Sequence, residues 1–426
     1  MMILPGDLGA GRGRRGITSV CSAHPLVLRA ALRLAARTGR PALIEATCNQ
    51  VNQQGGYTGM RPMDFAALVH DLARAESCPA DLVLLGGDHL GPNPWRTLPA
   101  DEALALAENC VADFVAAGFR KIHLDASMGC RGEPAALDDA TTAARAARLA
   151  AAAESAAARA GTPAPVYVIG TEVPPPGGAD HMLDRVPPTD PVAARESYAV
   201  HRRLFRKAGL DAAMDRVIAM VVQPGVEFGN RNVIAYDRPA AAALSRVLDD
   251  LPGLVFEAHS TDYQPQAALR GLVRDGWAIL KVGPQLTFAL REALYALDLI
   301  AGEMDPDYGA RPLAAAMEAA MLADPTHWRG HYSGSAGDLR MLRHYSLSDR
   351  IRYLWPGAGA EGAVGRLRGT IDGRAIPLPL IWQFLPGADH LAERPASVDE
   401  IVIWRVTQVL ERYQAACLGD SKEKGI

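Results

Sequence analysis

From Gly16 onward the chain alternates between two kinds of hydrophobic pattern. Short, nearly unbroken apolar runs occur at Ile17–Cys21, Ala42–Thr47, Leu82–Leu85, Lys121–Asp125, Val166–Ile169, Arg216–Val222, Leu254–Ala258 and Ala278–Val282. Between them lie Ala-, Leu- and Arg-rich stretches with apolar residues at helical spacing, over 24–39, 62–76, 100–118, 135–160, 190–209, 239–251, 263–275 and 286–301. Strands that are apolar on both faces belong in a parallel sheet covered by helices, and strand–helix repetition implies right-handed crossovers. Eight such units predict an α/β fold, a (β/α)8 TIM barrel over residues 1–301. An open sheet for a dinucleotide calls for GxGxxG after its first strand, whereas this chain has Cys21-Ser-Ala-His-Pro25 there.

Beyond residue 301 the alternation stops. Helical patterns at 310–323 and 397–417 flank a loop-rich stretch with a glycine-rich turn at 356–362. Residues 302–426 are therefore expected to form a mostly helical extension packed on the barrel, with a frayed tail from Gly419.

Composition narrows the function classes. A net charge of −4 and a pI near 6.3 give no reason to expect nucleic acid or an anionic membrane as partner. No apolar stretch approaches the roughly 18 residues of a membrane span. Six cysteines without CxxC spacing read as reduced thiols of a cytoplasmic protein. The long Ala-rich helices leave room for a homo-oligomer.

Polar residues then stand out at the strand ends, which in this fold form the catalytic face. Leu82–Trp95 is the most concentrated case: four apolar residues, two glycines, then Asp88 and His89 side by side. The other strand ends offer Glu45 with Asn49 and Gln50, His123 and Asp125, Glu172, Gln223, Glu257 with His259, and Lys281. Taken singly, each has a structural explanation: an Asp caps a helix, a His packs, a Lys pairs with an acid. Together they crowd one face with charge that must be paired, metal-bound or catalytic.

His89, Glu172 and His259 make a three-ligand set for a divalent metal, with zinc, manganese, cobalt and nickel all compatible. Strand alternation places His123 and Asp125 on one face, opposite Leu124; His123 reads as a supporting or core residue. Glu45, Asn49, Gln50, Asp125, Gln223, Glu257 and Lys281 are candidate substrate contacts. Ser260, Thr261 and Gly283 follow the last two strands, where backbone amides often cradle phosphate. Arg350 could reach over as a phosphate ligand, and Arg350 with Arg352 could form a lid.

The longer motifs carry a resemblance. Glu45-Ala-Thr-Cys-Asn-Gln-Val-Asn-Gln-Gln-Gly-Gly-Tyr57, Gly86-Gly-Asp-His-Leu-Gly-Pro-Asn-Pro-Trp95, Lys121-Ile-His-Leu-Asp125, Gly170-Thr-Glu-Val-Pro-Pro-Pro-Gly-Gly178, Gln223-Pro-Gly-Val-Glu-Phe-Gly229, Glu257-Ala-His-Ser-Thr-Asp-Tyr263 and Ser348-Asp-Arg-Ile-Arg-Tyr353 resemble the GatZ/KbaZ family. The likeness spans about residues 16 to 415.

It implies a (β/α)8 barrel and a more distant kinship with class II aldolases. By that kinship Asp88 matches a catalytic base, and His89 and His259 match metal ligands. Glu172 stands where those aldolases carry a histidine, as third ligand or second catalytic carboxylate. The resemblance implies two activities. One is a D-tagatose-6-phosphate 4-epimerase, interconverting tagatose 6-phosphate and fructose 6-phosphate by metal-assisted retro-aldol chemistry. The other is a non-catalytic subunit that stabilises a separate class II D-tagatose-1,6-bisphosphate aldolase.

Overall fold

A computed structural model of the protein describes residues 8–170 and 185–418. Strands β1 (Ile17–Val20), β2 (Ala42–Thr47), β3 (Val83–Leu90), β4 (Lys121–Leu124), β5 (Val166–Gly170) and β6 (Val217–Val221) follow in chain order. A short antiparallel hairpin comes next, β7 (Glu227–Phe228) with β8 (Val233–Ile234). Strands β9 (Val255–Ala258) and β10 (Trp277–Val282) complete the sheet. The eight long strands close in parallel, with β10 pairing back to β1. The expected (β/α)8 barrel is what the chain forms. The hairpin has no counterpart in the periodicity, because two-residue strands carry none.

The barrel is filled in layers, as alternating inward positions dictate. At the bottom lies an apolar plug of Ile17, Leu43, Leu84, Val168, Val255 and Ile279, with Leu8 packed against it. Two residues further along their strands, Glu45, Glu257 and Lys281 occupy the next inward positions, and Lys121 opens β4 at the same height. All four are buried. The apolar side chains facing outward pack beneath the helices and form the larger core.

Gly86 makes this charged layer possible. A Cβ built there would lie 2.8 Å from Glu45 Cγ and Oε1.

The last helix, Val398–Cys417, returns to the barrel and packs against Pro25–Thr38, Gln266–Arg274, Pro284–Met304 and β1. Tyr413 Oη donates to the Thr261 carbonyl at 2.6 Å, and Gly16 N donates to the Cys417 carbonyl at 3.0 Å. The intervening stretch is more ordered than its sequence suggests. It holds helices Ala336–Tyr345, Ala358–Ile371 and Leu378–Phe384, so the glycine-rich segment starts a helix rather than a turn. Burial of Ala360, Leu367 and Ile371 outweighs the low helix propensity of its glycines. Among the described residues no helix is long and apolar enough to cross a membrane.

Two glycine substitutions should act in opposite directions. Gly86→Ala should destabilise the fold by about 1–3 kcal/mol, the usual cost of overpacking, because Glu45 cannot retreat from two lysines. Gly362→Ala sits on an exposed helix face with nothing within 4 Å and should stabilise by about 0.5–1 kcal/mol. Urea denaturation of the two variants measures both.

Candidate active site

The site is assembled around an irregularity in β3. Gly87 pairs with Ile122 and Leu90 with Leu124, so β3 carries one residue more than β4 across this interval. That is a β-bulge, which re-aims side chains. His89 sits in it with φ of 47°, a conformation that non-glycine residues adopt rarely and often at functional sites. In a regular strand Asp88 and His89 would point to opposite faces. With the bulge both reach the mouth of the barrel, and both line the same cavity.

Three imidazoles converge there. Ring centroids of His89 and His259 lie 4.7 Å apart, His89 and His123 4.9 Å, and His123 and His259 5.3 Å. His89 Nδ1 lies 2.8 Å from Asp125 Oδ2. Since a carboxylate only accepts, Nδ1 carries the proton and Nε2 is left as a lone pair. His123 Nε2 donates to the Gly170 carbonyl at 3.1 Å, while its Nδ1 accepts from His89 N at 3.2 Å. Asp88 Oδ1 lies 3.1 Å from that same Nδ1. Two acceptors thus face each other across a buried gap.

One ligand atom from each of Asp88, His89, His123 and His259 lies within 4.8 Å of the others. This cluster is compatible with a metal site. The charge count agrees. Around it Lys121 and Lys281 face the carboxylates of Glu45, Asp88 and Glu257, and a fourth carboxylate, Asp125, faces His89. Burial lowers the His123 pKa and keeps that ring neutral. Two ammonium groups against four carboxylates leave negative charge that a divalent cation would balance. Imidazole and carboxylate are donors suited to such an ion.

Beneath the cluster the four charges of the buried layer bind one another. Lys121 Nζ bridges Glu45 Oε1 at 2.6 Å and Glu257 Oε2 at 2.7 Å. Lys281 Nζ contacts Glu45 Oε2 at 2.8 Å and Asp88 Oδ1, and Glu257 Oε1 meets His259 Nε2 at 3.0 Å. Burial opposes the charge on both lysines, but the acids around them more than compensate and hold each above its ordinary range. Burial likewise works against Asp88, yet its neighbours, the Lys281 ammonium among them, hold its carboxyl well below the usual range. Asp125 is also held low: burial is outweighed by hydrogen bonds from His89 and Ser127.

The cavity has a volume of about 860 Å³. Asn49, Gln50, Ser260, Gly283 and Lys281 line it together with Asp88, His89 and His259; Glu45, Asp125 and Glu257 support the wall from behind. Glu172 lies outside the described residues.

Four residues expected at substrate or phosphate are engaged elsewhere. Gln223 folds back so that its Oε1 accepts from Gly225 N and Val226 N, both at 2.9 Å. The Thr261 hydroxyl donates to the Lys281 carbonyl at 2.5 Å. The Gly283 amide, with that of Gln285, donates to Asp262 Oδ1 at 3.0 and 2.8 Å, so the helix N-terminus after β10 already holds a carboxylate. Arg350 Nη1 donates to the His327 carbonyl at 3.3 Å, away from the cavity wall. Arg352 lines the cavity instead.

Sequence reasoning also passed over Lys121 and Asp262, and gave His123 only a supporting part. The alternation that turned His123 and Asp125 inward applies equally to Lys121. A lysine at a strand start simply reads as solvated.

Comparison with known proteins places the chain among relatives whose descriptions share a tagatose phosphate and differ in the activity named. A family model described as D-tagatose-1,6-bisphosphate aldolase subunit GatZ/KbaZ-like matches residues 10–418. A D-tagatose 6-phosphate 4-epimerase of Agrobacterium fabrum is 60% identical over 401 residues, covering 94% of each chain. A crystal structure described as a probable tagatose 6 phosphate kinase from Sinorhizobium meliloti 1021 matches with TM-score 0.87. It is 55% identical and covers 95% of this chain and 100% of that one.

Two measurements test the electrostatics. Lys121→Met leaves two fully buried carboxylates without their shared partner and should cost about 3–5 kcal/mol of stability, read by urea denaturation. Burial raises the Asp262 pKa to about 6, its two backbone donors offsetting only part of that. A raised carboxyl pKa contributes stability that is complete below the unfolded value, roughly 3.9, and is lost as pH rises through 6. Asp262→Asn keeps the acceptor without the charge. Its stability relative to the natural protein should therefore increase by about 2–3 kcal/mol between pH 4 and pH 7.5. A difference that stays flat over this range contradicts the assignment.

Proposed function

The chain belongs to the GatZ/KbaZ-like family, and from that premise we propose that it is a sugar-phosphate isomerase. Its reaction is the interconversion of D-tagatose 6-phosphate and D-fructose 6-phosphate by inversion at C4. The observation that carries the reading is the convergence of Asp88, His89, His123 and His259 within 4.8 Å of one another, with Asp88, His89 and His259 on the cavity wall. The 60% identical epimerase supports it.

The hydrogen on C4 is not adjacent to the C2 carbonyl, so direct deprotonation has no resonance to draw on. Cleavage of the C3–C4 bond avoids the difficulty. A carboxylate takes the C4 hydroxyl proton while the C3–C4 bonding pair moves toward C2, giving an enediolate and a three-carbon aldehyde phosphate. The aldehyde turns over, C3 attacks its other face, and the proton returns to the new C4 oxygen. Atoms and electrons balance without an external oxidant.

Asp88 suits the proton-accepting role. Lys281 holds its Oδ1, leaving Oδ2 on the cavity side, 3.9 Å from Cys21 Sγ. Lying well below the ordinary range, it is a carboxylate at neutral pH. Glu172 is proposed as the group that exchanges the proton on the opposite face. Lys281, kept protonated, cannot serve as an amine nucleophile; its ammonium stabilises developing negative charge beside Asp88.

His89, His259 and His123 with Asp88 would hold a divalent metal: zinc, manganese, cobalt or nickel. When bound, it would supply Lewis acidity toward the substrate's carbonyl oxygen. Asp125 orients His89 through Nδ1, the common outer partner of a ligating imidazole. Asn49, Gln50 and Ser260 are left to contact the sugar hydroxyls.

The second reading, a stabilising subunit for a separate aldolase, is favoured by the description of the family model itself. A kinase has no support in the chain, which contains no GxxxxGK[ST] loop.

The test is to incubate the purified protein alone with D-tagatose 6-phosphate and measure fructose 6-phosphate through a coupled isomerase and dehydrogenase. Turnover should require a divalent metal, cease on chelation and return on re-addition. Asp88→Asn should lower kcat by about 10²–10⁴-fold, the usual worth of a positioned base. Silence alone, with activity only when a catalytic aldolase chain is added, would establish the subunit reading instead.

A further inference from the structure

The cavity is far larger than the neighbourhood of the histidine cluster, and four lysine or arginine side chains line it: Arg29, Lys281, Arg352 and Arg368. Three are paired with protein carboxylates. Arg29 pairs with Glu76 at 2.6 Å and Asp399 at 3.0 Å, Arg368 pairs with Asp399 at 2.8 Å, and Lys281 is held by Asp88 and Glu45.

Arg352 differs. Its Nη1 donates to the Ser348 and Asp349 carbonyls and its Nη2 to Tyr353 Oη at 2.8 Å. The carboxylate of Asp349 is turned to Arg291 Nε at 3.1 Å and the Thr287 hydroxyl at 2.7 Å. The guanidinium therefore lines the cavity with no carboxylate within ion-pair distance and no acceptor for its Nε–H among the described residues. The alternative anion site, the amides of Gly283 and Gln285, is filled by Asp262.

We propose that Arg352 is the phosphate anchor of this site, and that it retains the three-carbon aldehyde phosphate while that fragment turns over. The inference rests on the epimerase reading for its substrate, but the anion site itself stands on a cavity-lining guanidinium that no carboxylate among the described residues pairs with. A guanidinium suits the task because its planar fork can donate two parallel hydrogen bonds to a phosphate. Its setting adds confinement. Tyr353 packs edge-on against Tyr57 at 5.0 Å and stacks on His327 at 4.4 Å, so an aromatic rim joins the loop after β2 to the segment carrying Arg352.

Cleavage of C3–C4 breaks the only bond joining the phosphorylated half to the half held near the histidines. Without a tether on the phosphate, the aldehyde escapes before C3 can attack its other face. Loss of Arg352 should therefore convert part of each epimerisation into net cleavage, releasing dihydroxyacetone and glyceraldehyde 3-phosphate.

The experiment compares the natural protein, Arg352→Gln and Arg352→Lys, each loaded with metal. First, inorganic phosphate binding is measured by calorimetry. Then kcat/KM is measured for D-tagatose 6-phosphate and for D-tagatose, and released glyceraldehyde 3-phosphate is trapped with a dehydrogenase. The proposal expects Arg352→Gln to weaken phosphate binding and to lower the preference for the phosphorylated sugar by about 100-fold, the worth of a charge-assisted phosphate contact. It also expects the released fraction per turnover to rise, with Arg352→Lys between the two. Equal loss on both sugars, or undiminished phosphate binding in Arg352→Gln, overturns it. If the natural protein epimerises nothing, the calorimetry still decides the anchor: loss of phosphate binding in Arg352→Gln upholds it while the epimerase reading fails.

Discussion

The structure depends on one buried ion cluster. Lys121 stands inside the barrel with no solvent contact, bridging Glu45 from β2 and Glu257 from β9. Burying three charges is costly and is tolerated only where each is matched at close range. The match forces the barrel to bring β2, β4 and β9 into one register at this height. Because Lys281 shares Glu45 with Lys121 and also holds Asp88, the cluster extends upward into the cavity wall. The reactive layer is thus built on a charged one, which is built in turn on an apolar plug.

That stacking explains how a carboxylate, three imidazoles and an ammonium can share a small volume without collapsing into one another. The carboxylate and each imidazole have a second partner. His89 is held by Asp125, His123 by Gly170, His259 by Glu257 and Asp88 by Lys281. Rigid outer partners fix the orientations of these groups and leave one ligand atom of each within 4.8 Å of the others, the proximity a cation requires of its ligands. The bulge in β3 supplies the remaining condition. Without its extra residue, Asp88 and His89 would lie on opposite faces of one strand.

The far side of the cavity is governed by the opposite condition. Near the histidines the carboxylates and ammonium groups meet one another directly, whereas no carboxylate among the described residues lies within ion-pair distance of Arg352. The contrast divides the cavity into a part that handles protons and bonding electrons and a part that holds an anion. A reaction that severs the bond between the two halves of its substrate needs both.

Much of this was legible in the chain itself. Eight doubly apolar runs separated by amphipathic stretches admit few arrangements besides a closed barrel, and their polar termini mark the reactive face, because burial on both sides leaves polar residues nowhere else to go. Asp88, His89, His259, Lys281 and Glu257 were found that way. What the tertiary structure decided concerns partners rather than positions. Gln223, Thr261 and Gly283 sit at strand ends, as expected, yet their polar atoms are spent on Val226, Lys281 and Asp262. Lys121 was hidden because charge predicts exposure until opposing charges are known to meet it. Arg352 became distinct from Arg350 only when their surroundings could be compared. Hydrophobic periodicity is local and survives in one dimension; whether a polar group is satisfied depends on residues hundreds of positions away.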